Sequence, residues 1–168
     1  LLHNSFFLNE NKVLNIFICG IGTVGSQLIE QISSQYATLI TNQHLQLNIV
    51  GIANSRTYIF NAEGLDITNY REQLLAAETK NLSDIVNQLA TLHNSIFVDC
   101  TASEDIANIY QMLLENNISV VTANKIAASA EYKKYELLKK TALEHDVKFL
   151  FETNVGAGLP IIRTINDL

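Results

Sequence analysis

A glycine-rich hexapeptide, Gly20-Ile21-Gly22-Thr23-Val24-Gly25, constrains the fold more than any other feature of this sequence. It follows an apolar segment, residues 14–19, that is typical of a buried strand, and it opens a segment, residues 24–36, with the spacing of an amphipathic helix. In such a unit the first glycine permits the tight turn, the second leaves space for a pyrophosphate, and the third lets the helix pack on the strand. The start of the helix offers unpaired N–H groups to an anion. The hexapeptide therefore predicts a dinucleotide-binding turn, with a purely structural glycine turn as the alternative.

Strands and helices are predicted to alternate along the rest of the chain. The expected strands are residues 14–19, 47–53, 96–100, 118–123 and 147–151. The expected helices are residues 24–36, 69–78, 82–92, 104–115 and 129–145, with Ser83 as a candidate cap for the third and a loop at residues 58–68. This alternation predicts an α/β fold of the Rossmann type, which is a doubly wound, mainly parallel sheet with helices on both faces.

The composition is that of a globular chain. Its 168 residues suffice for one domain with a core, and 48% of them are hydrophobic against 17% charged. A net charge of −6 argues against a nucleic-acid partner, and the sequence has neither an apolar run of membrane-spanning length nor a signal peptide. Cys19 and Cys100 each end an apolar segment, which predicts buried free thiols rather than a disulfide or metal site. We therefore expect no membrane partner and a cytoplasmic location.

The residues after the second strand bear on the choice between NAD and NADP. An acidic residue there would bind the 2′-hydroxyl of NAD, but this strand is followed by Asn54, Ser55 and Arg56. Two neutral hydrogen-bonding side chains and a cation favour NADP(H), and dual use of NAD(H) stays open. The alternative for Arg56 is an ordinary solvated arginine in a loop.

Two further strand ends carry candidate site residues, because ligands of a doubly wound sheet lie at the carboxyl ends of its strands. Thr101, Ala102 and Ser103 follow the strand at 96–100 and are placed to contact the cofactor, although Thr101 and Ser103 are equally candidates for capping the next helix. Lys125 follows the strand at 118–123, where a lysine beside a nicotinamide orients a substrate oxygen or assists proton transfer. From its spacing alone, an ordinary surface lysine is the better explanation.

Residues 13–168 resemble the cofactor-binding portion of homoserine dehydrogenases. The resemblance is carried by residues 17–25, 50–56, 98–103, 121–125 and 153–160, of which the last two stretches are the most specific. Residues 53–55 and the leucine-rich lead-in are most similar to the dehydrogenase half of bifunctional aspartokinase–homoserine dehydrogenases. The first residue is Leu1 rather than methionine, and we expect the chain to be a piece of a longer polypeptide. Its expected parts are a lead-in at 1–12, an NAD(P)-binding domain at 13–153 and the start of a substrate domain at 154–168.

The resemblance implies an activity and a set of site residues. The activity is NAD(P)-linked interconversion of L-homoserine and L-aspartate 4-semialdehyde in threonine and methionine synthesis, by a homo-oligomeric parent enzyme. Besides the three glycines, the implied cofactor contacts are Ile21, Thr23, Val24, Arg56, Thr101, Ala102 and, at the junction of cofactor and substrate, Lys125. The implied ligands of a monovalent cation, expected to be sodium and bound partly through main-chain carbonyls, are Glu152, Val155, Ala157 and Leu159.

The family's substrate domain supplies the carboxylates that bind the homoserine amine and a second lysine, and these would lie beyond Leu168. Hydride transfer needs both reactants held in one geometry, so the chain alone is expected to bind cofactor with negligible turnover. Two other functions stay open. One is a non-catalytic Rossmann domain that senses nucleotides, and the other is a different semialdehyde or amino-acid dehydrogenase, for which a nucleophilic cysteine in the substrate domain would be diagnostic.

Overall fold

Strands and helices alternate along the computed structural model, which describes residues 12–77, 79–126 and 132–151. The strands are β1 (Lys12–Cys19), β2 (Leu45–Ala53), β3 (Tyr58–Phe60), β4 (Ser95–Asp99), β5 (Ser119–Thr122) and β6 (Phe149–Leu150). The helices are α1 (Thr23–Gln43), α2 (Tyr70–Leu75), α3 (Leu82–Ala90), α4 (Glu104–Asn108), α5 (Tyr110–Glu115) and α6 (Tyr132–Glu144).

The described strands form one six-stranded sheet in the order β3-β2-β1-β4-β5-β6. Neighbouring strands are parallel except β2 and β3, which are antiparallel. The chain builds outward from β1 to β3 on one side and from β4 to β6 on the other, so the strand order reverses between β1 and β4. The carboxyl ends of these two strands lie side by side, because Cys19 pairs with Asp99. Ligands bind at such a reversal, and the predicted mainly parallel α/β sheet is confirmed.

Apolar side chains cover both faces of the sheet, because successive residues of a strand point to opposite faces. On one face Phe17 and Phe97 stack with their ring centroids 5.6 Å apart, and apolar residues of α3, α4, α5 and α6 pack over them. On the other face Ile16 and Ile18 are covered by apolar residues of α1 and α2. The prediction of helices on both faces is therefore also confirmed.

Two segments differ from the sequence prediction in type or extent. Helix α1 continues to Gln43, well past the predicted end at Tyr36, because Leu39 remains buried against the sheet. It ends at His44, which adopts a left-handed conformation with φ of 52°. Residues 58–60 were expected to belong to a loop, but they form β3 and pair with the end of β2. Three residues are too few for an alternating pattern, although tyrosine, isoleucine and phenylalanine all favour strands.

The predicted helix at 104–115 is divided into α4 and α5 at Ile109. The N–H of Ile109 donates to the carbonyl of Ile106, three residues back, at 3.3 Å, and this interrupts the regular α-helical pattern. The predicted cap of α3 is also wrong, because Ser83 donates its N–H to Oδ1 of Asn81 at 3.0 Å and Asn81 is the capping residue. The other described elements lie where they were expected, with ends shifted by a few residues.

Candidate functional site

A cleft of ≈ 710 Å³ opens at the carboxyl ends of β1, β2 and β4. It brings together three of the predicted sites, which are the glycine turn, the end of β2 and the turn after β4. Gly20, Ile21 and Gly22 line it on one side, Asn54 and Ser55 at one end, and the turn of Thr101, Ala102 and Ser103 on the other side. The cleft thus lies where the strand order reverses, as expected for a ligand site in this fold.

The three motif glycines have different roles in the turn. Gly20 adopts a φ of +95°, and a Cβ there would lie 2.8 Å from Cγ2 of Thr101 and 3.0 Å from the carbonyl of Cys100. A Cβ at Gly25 would overlap the carbonyl oxygen of Gly20. A Cβ at Gly22 would meet nothing within 4 Å. Gly20 and Gly25 are therefore required by the fold itself, whereas a side chain at Gly22 would enter open space in the cleft.

Helix α1 begins at the floor of this space. Gly22 is its capping residue, no side chain caps it, and its first turn contains no acidic residue. The first N–H groups of an α-helix have no partner within the helix, and its dipole is positive at this end. Thr23 and Val24 are exposed here, and Ile21 is half-buried at the rim. The start of α1 therefore presents N–H donors and a positive field to the cleft, which suits a phosphate group.

The end of β2 carries a tight turn that occupies part of the predicted site. Oδ1 of Asn54 accepts the N–H groups of Arg56 and Thr57, both at 2.7 Å. This oxygen therefore holds the turn, while Asn54 itself lines the cleft and its predicted contact with the cofactor stays a prediction. Ser55 is exposed and lines the cleft, and Arg56 is exposed beside it without being a lining residue.

Lys80 is a site residue that the sequence analysis missed. Its Nζ donates to the carbonyl of Asn54 at 3.2 Å, and its N–H donates to the carbonyl of Arg56 at 2.7 Å. The antiparallel bridge between Thr57 and Thr79 brings it to this position. Lys80 lines the cleft, so two cations flank the end of β2. No motif marks Lys80, because it precedes α3 in a segment far from β2 in sequence.

The turn after β4 is held by hydrogen bonds within the turn itself. Oδ1 of Asp99 accepts the N–H of Thr101 at 2.7 Å, and Oγ1 of Thr101 accepts the N–H of Ser103 at 3.1 Å. Ser103 is the N-cap residue of α4 by position, but its side chain makes no capping hydrogen bond. Lys125 lies beyond the end of the neighbouring strand β5 and is exposed, outside the described lining of the cleft.

A buried polar network lies directly beneath these two strand ends. Asp99, Tyr110, Thr122 and Asn124 are all buried within an otherwise apolar layer. Oδ2 of Asp99 accepts the hydroxyl of Tyr110 at 2.5 Å and Nδ2 of Asn124 at 3.0 Å. Burial, and then the neighbouring Asp99, raises the pKa of Tyr110, which keeps its hydroxyl protonated and able to donate. The sequence analysis did not identify this network, since its members lie on three separate elements.

The two cysteines are free thiols, as predicted. Cys19 is buried and Cys100 is half-buried at the cleft, and burial raises the pKa of each thiol to about 12. Cys19 belongs to one apolar layer and Cys100 packs against the other, so they lie on opposite faces of the sheet. In the described part of the chain, no three His, Cys, Asp or Glu residues are grouped as a metal site.

The predicted cation ligands Glu152, Val155, Ala157 and Leu159 lie outside the described residues. Over residues 12–77, 79–126 and 132–151, no helix combines the length and the apolar character that crossing a bilayer requires.

Solved structures with this architecture include homoserine dehydrogenases. A hyperthermophilic archaeal homoserine dehydrogenase in complex with NADPH superimposes with a TM-score of 0.69 at 29% identity, over 92% of this chain and 48% of that one. A protein of unknown function from Candida auris superimposes with a TM-score of 0.72 at 29% identity, over 94% of this chain and 43% of that one. The homoserine dehydrogenase of Thermoplasma acidophilum, at 22% identity and a TM-score of 0.70, supports the fold.

Curated relatives extend the likeness to the whole chain. The bifunctional aspartokinase/homoserine dehydrogenases of Buchnera aphidicola and Haemophilus influenzae are each 36% identical over 99% of this chain. This chain spans about a fifth of their length, 21% and 20% respectively. Residues 20–152 match the family model described as "Homoserine dehydrogenase, NAD binding domain". The chain therefore belongs to the homoserine dehydrogenase family, as its NAD-binding domain.

Proposed function

We propose that the cleft binds NADP(H), with the pyrophosphate lying over Gly22 at the start of α1. The observation that carries this proposal is the empty volume above Gly22, where a Cβ would meet no protein atom within 4 Å. The other two motif glycines are fully explained by contacts within the fold, and Gly22 is not. The NADPH complex of the archaeal relative supports the same assignment.

The end of β2 is proposed to select the phosphorylated cofactor. Arg56 and Lys80 supply two cations there, and no acidic residue occupies residues 54–56 to repel a 2′-phosphate. Ser55, which precedes Arg56 in sequence, adds a neutral hydrogen-bonding group that lines the cleft. We therefore expect NADPH to bind more tightly than NADH, with NADH as a weaker ligand.

The turn of Thr101, Ala102 and Ser103 is proposed to contact the nicotinamide end. Bound NADP(H) supplies or accepts the hydride in this family of reactions. Lys125 is proposed to orient the substrate oxygen or to assist its proton transfer, since it follows the strand next to this turn. Its exposure in this chain is compatible with a substrate that approaches from outside the cleft.

The whole-protein activity is proposed from the family. We propose that this chain is part of a longer protein that interconverts L-homoserine and L-aspartate 4-semialdehyde, and that its substrate-binding groups lie outside the fifth of the relatives that this chain matches. A sodium site at Glu152, Val155, Ala157 and Leu159, domain limits at 1–12, 13–153 and 154–168, a homo-oligomeric state and a cytoplasmic location are further proposals that rest on the resemblance. Relatives from maize carry the word chloroplastic in their names.

The test is reduction of NADP⁺ by L-homoserine, measured with the longer protein and with the chain of 168 residues alone. We expect turnover by the longer protein and negligible turnover by the chain, because the substrate-binding groups are proposed to lie in the rest of the longer protein. Cofactor binding without homoserine turnover by the longer protein would instead favour a nucleotide-sensing domain. Turnover by the chain alone at the rate of the longer protein would contradict the division of the site between two domains.

A further inference from the structure

The buried network beneath the cleft is a ring of hydrogen bonds that begins and ends at Asn124. The N–H of Asn124 donates to Oγ1 of Thr122 at 2.9 Å, and Thr122 lies 2.7 Å from the hydroxyl of Tyr110. Tyr110 has one hydroxyl proton and donates it to Asp99, so it accepts the proton of Thr122. The second donor to Oδ2 of Asp99 is Nδ2 of Asn124, which closes the ring.

Asn124 also ties the ring to both turns at the edge of the cleft. Its Nδ2 makes a second bond, to the carbonyl of Ser103 at 2.9 Å, and its Oδ1 accepts the N–H of Ile126 at 3.1 Å. Both amide hydrogens and the amide oxygen of this side chain are therefore in use. Asp99 makes a second link from the ring to the 101–103 turn, because its Oδ1 accepts the N–H of Thr101.

Burying the polar groups of Asp99 and Asn124 costs solvation free energy, which indicates that the network does more than fill the core. A buried carboxylate and a buried amide stabilise a fold only when all their groups are paired, and an apolar core of the same shape is often as stable. Here the side-chain hydrogen bonds of Asn124 and Asp99 lead to the turn at 101–103, to the segment at 124–126 or to the ring itself. Apolar side chains would leave the polar backbone groups of both turns without these partners.

We propose that Asp99 and Asn124 are positioning residues that hold the 101–103 turn and the segment carrying Lys125 as a single unit. The distance from the nicotinamide end of the cleft to Lys125 is then fixed by the ring and not by the two loops separately. This inference rests on the proposed function for the roles of the turn and of Lys125. The mutual fixing of the two segments is a property of the chain itself and is testable without substrate.

Tyr110→Phe removes the hydroxyl that links Thr122 to Asp99 and keeps the aromatic side chain that packs 5.9 Å from Phe149. It leaves the direct bonds of Asp99 and Asn124 to the two segments in place. Tyr70→Phe is the matched control, because Tyr70 is a buried tyrosine in the opposite apolar layer, away from the cleft. The decisive variant is Asp99→Asn, which is isosteric and places an amide donor against either Nδ2 of Asn124 or the N–H of Thr101. The readouts, on the longer protein, are kcat with homoserine, the Kd for NADPH, and amide hydrogen exchange at 101–103 and 124–126.

For Asp99→Asn we expect kcat to fall about tenfold or more, since small misplacements of reacting groups are costly. The Kd for NADPH should stay within about threefold, because the pyrophosphate end is built elsewhere, and Tyr110→Phe should change the same readouts less. Hydrogen exchange should accelerate in both segments together, and Tyr70→Phe should leave all three readouts unchanged. Unchanged kcat, or exchange that accelerates in one segment only, would overturn the proposal. If the wild-type protein does not oxidise homoserine, the proposed function fails, and the coupled exchange alone decides whether the ring fixes the two segments.

Discussion

Replacing Gly22 by alanine should separate cofactor binding from folding. The added Cβ meets no protein atom within 4 Å, so it intrudes only on the space proposed for the pyrophosphate. Losing one hydrogen bond from α1 to a charged phosphate costs about 1.5–3 kcal/mol, so the Kd for NADPH should rise about 10-fold to 100-fold. Alanine is a poorer helix cap than glycine by up to about 1 kcal/mol, and the melting temperature should fall by no more than about 4 °C.

Gly25→Ala is the matched control, because it adds the same methyl group one helical turn away. Its Cβ would overlap the carbonyl oxygen of Gly20, which is backbone and cannot rotate aside. Overpacking of this kind costs about 1–3 kcal/mol, so this variant should lose clearly more thermal stability than Gly22→Ala. Thermal unfolding and titration with NADPH, observed by nicotinamide fluorescence, measure both quantities. A folded Gly22→Ala protein that binds NADPH as tightly as the wild type would refute the assignment of this space to the pyrophosphate.

Three further outcomes are expected at other parts of the site. Arg56→Ala and Lys80→Ala should each weaken NADPH about threefold to tenfold more than NADH; equal losses for both nucleotides would place these cations away from the 2′-phosphate. Lys125→Ala in the longer protein should lower kcat about 100-fold with little change in the Kd for NADPH, and an unchanged kcat would return Lys125 to the status of a surface lysine. Alkylation of Cys100 near pH 8 should be about 100-fold or more slower in the native protein than in urea, because burial raises its pKa from 9.0 to about 12, and comparable rates would contradict that burial.

Stretches with strong local patterns were predictable from the sequence. The glycine turn, the buried strands and the mainly parallel direction of the strands were predicted from the apolar spacing and from the context of the hexapeptide. β3 was not predictable, because three residues carry no period and its pairing with β2 is a tertiary contact. The division of the helix at Ile109 was also not predicted, because the apolar spacing continues across this residue. A local sign of the break is that the N–H of Ile109 donates to the carbonyl of Ile106, three residues back.

The site was predictable where its residues follow strand ends and unpredictable where distant segments meet. Ser55 and the turn at 101–103 reach the cleft because parallel strands end at one edge. Lys80 reaches it through the bridge from Thr57 to Thr79, and Tyr110 of helix α5 reaches Asp99 at the end of strand β4. Asn54 illustrates a further limit, because the sequence did not show that the local turn uses its amide oxygen as an acceptor.

The most direct test of the central claim is a fluorescence titration of the protein with NADPH and, separately, with NADH. We expect saturable binding of both nucleotides, with NADPH bound more tightly because Arg56 and Lys80 lie at the end of β2. An absence of saturable binding of either nucleotide, in the chain of 168 residues and in the longer protein alike, would contradict the claim that this cleft is a dinucleotide site.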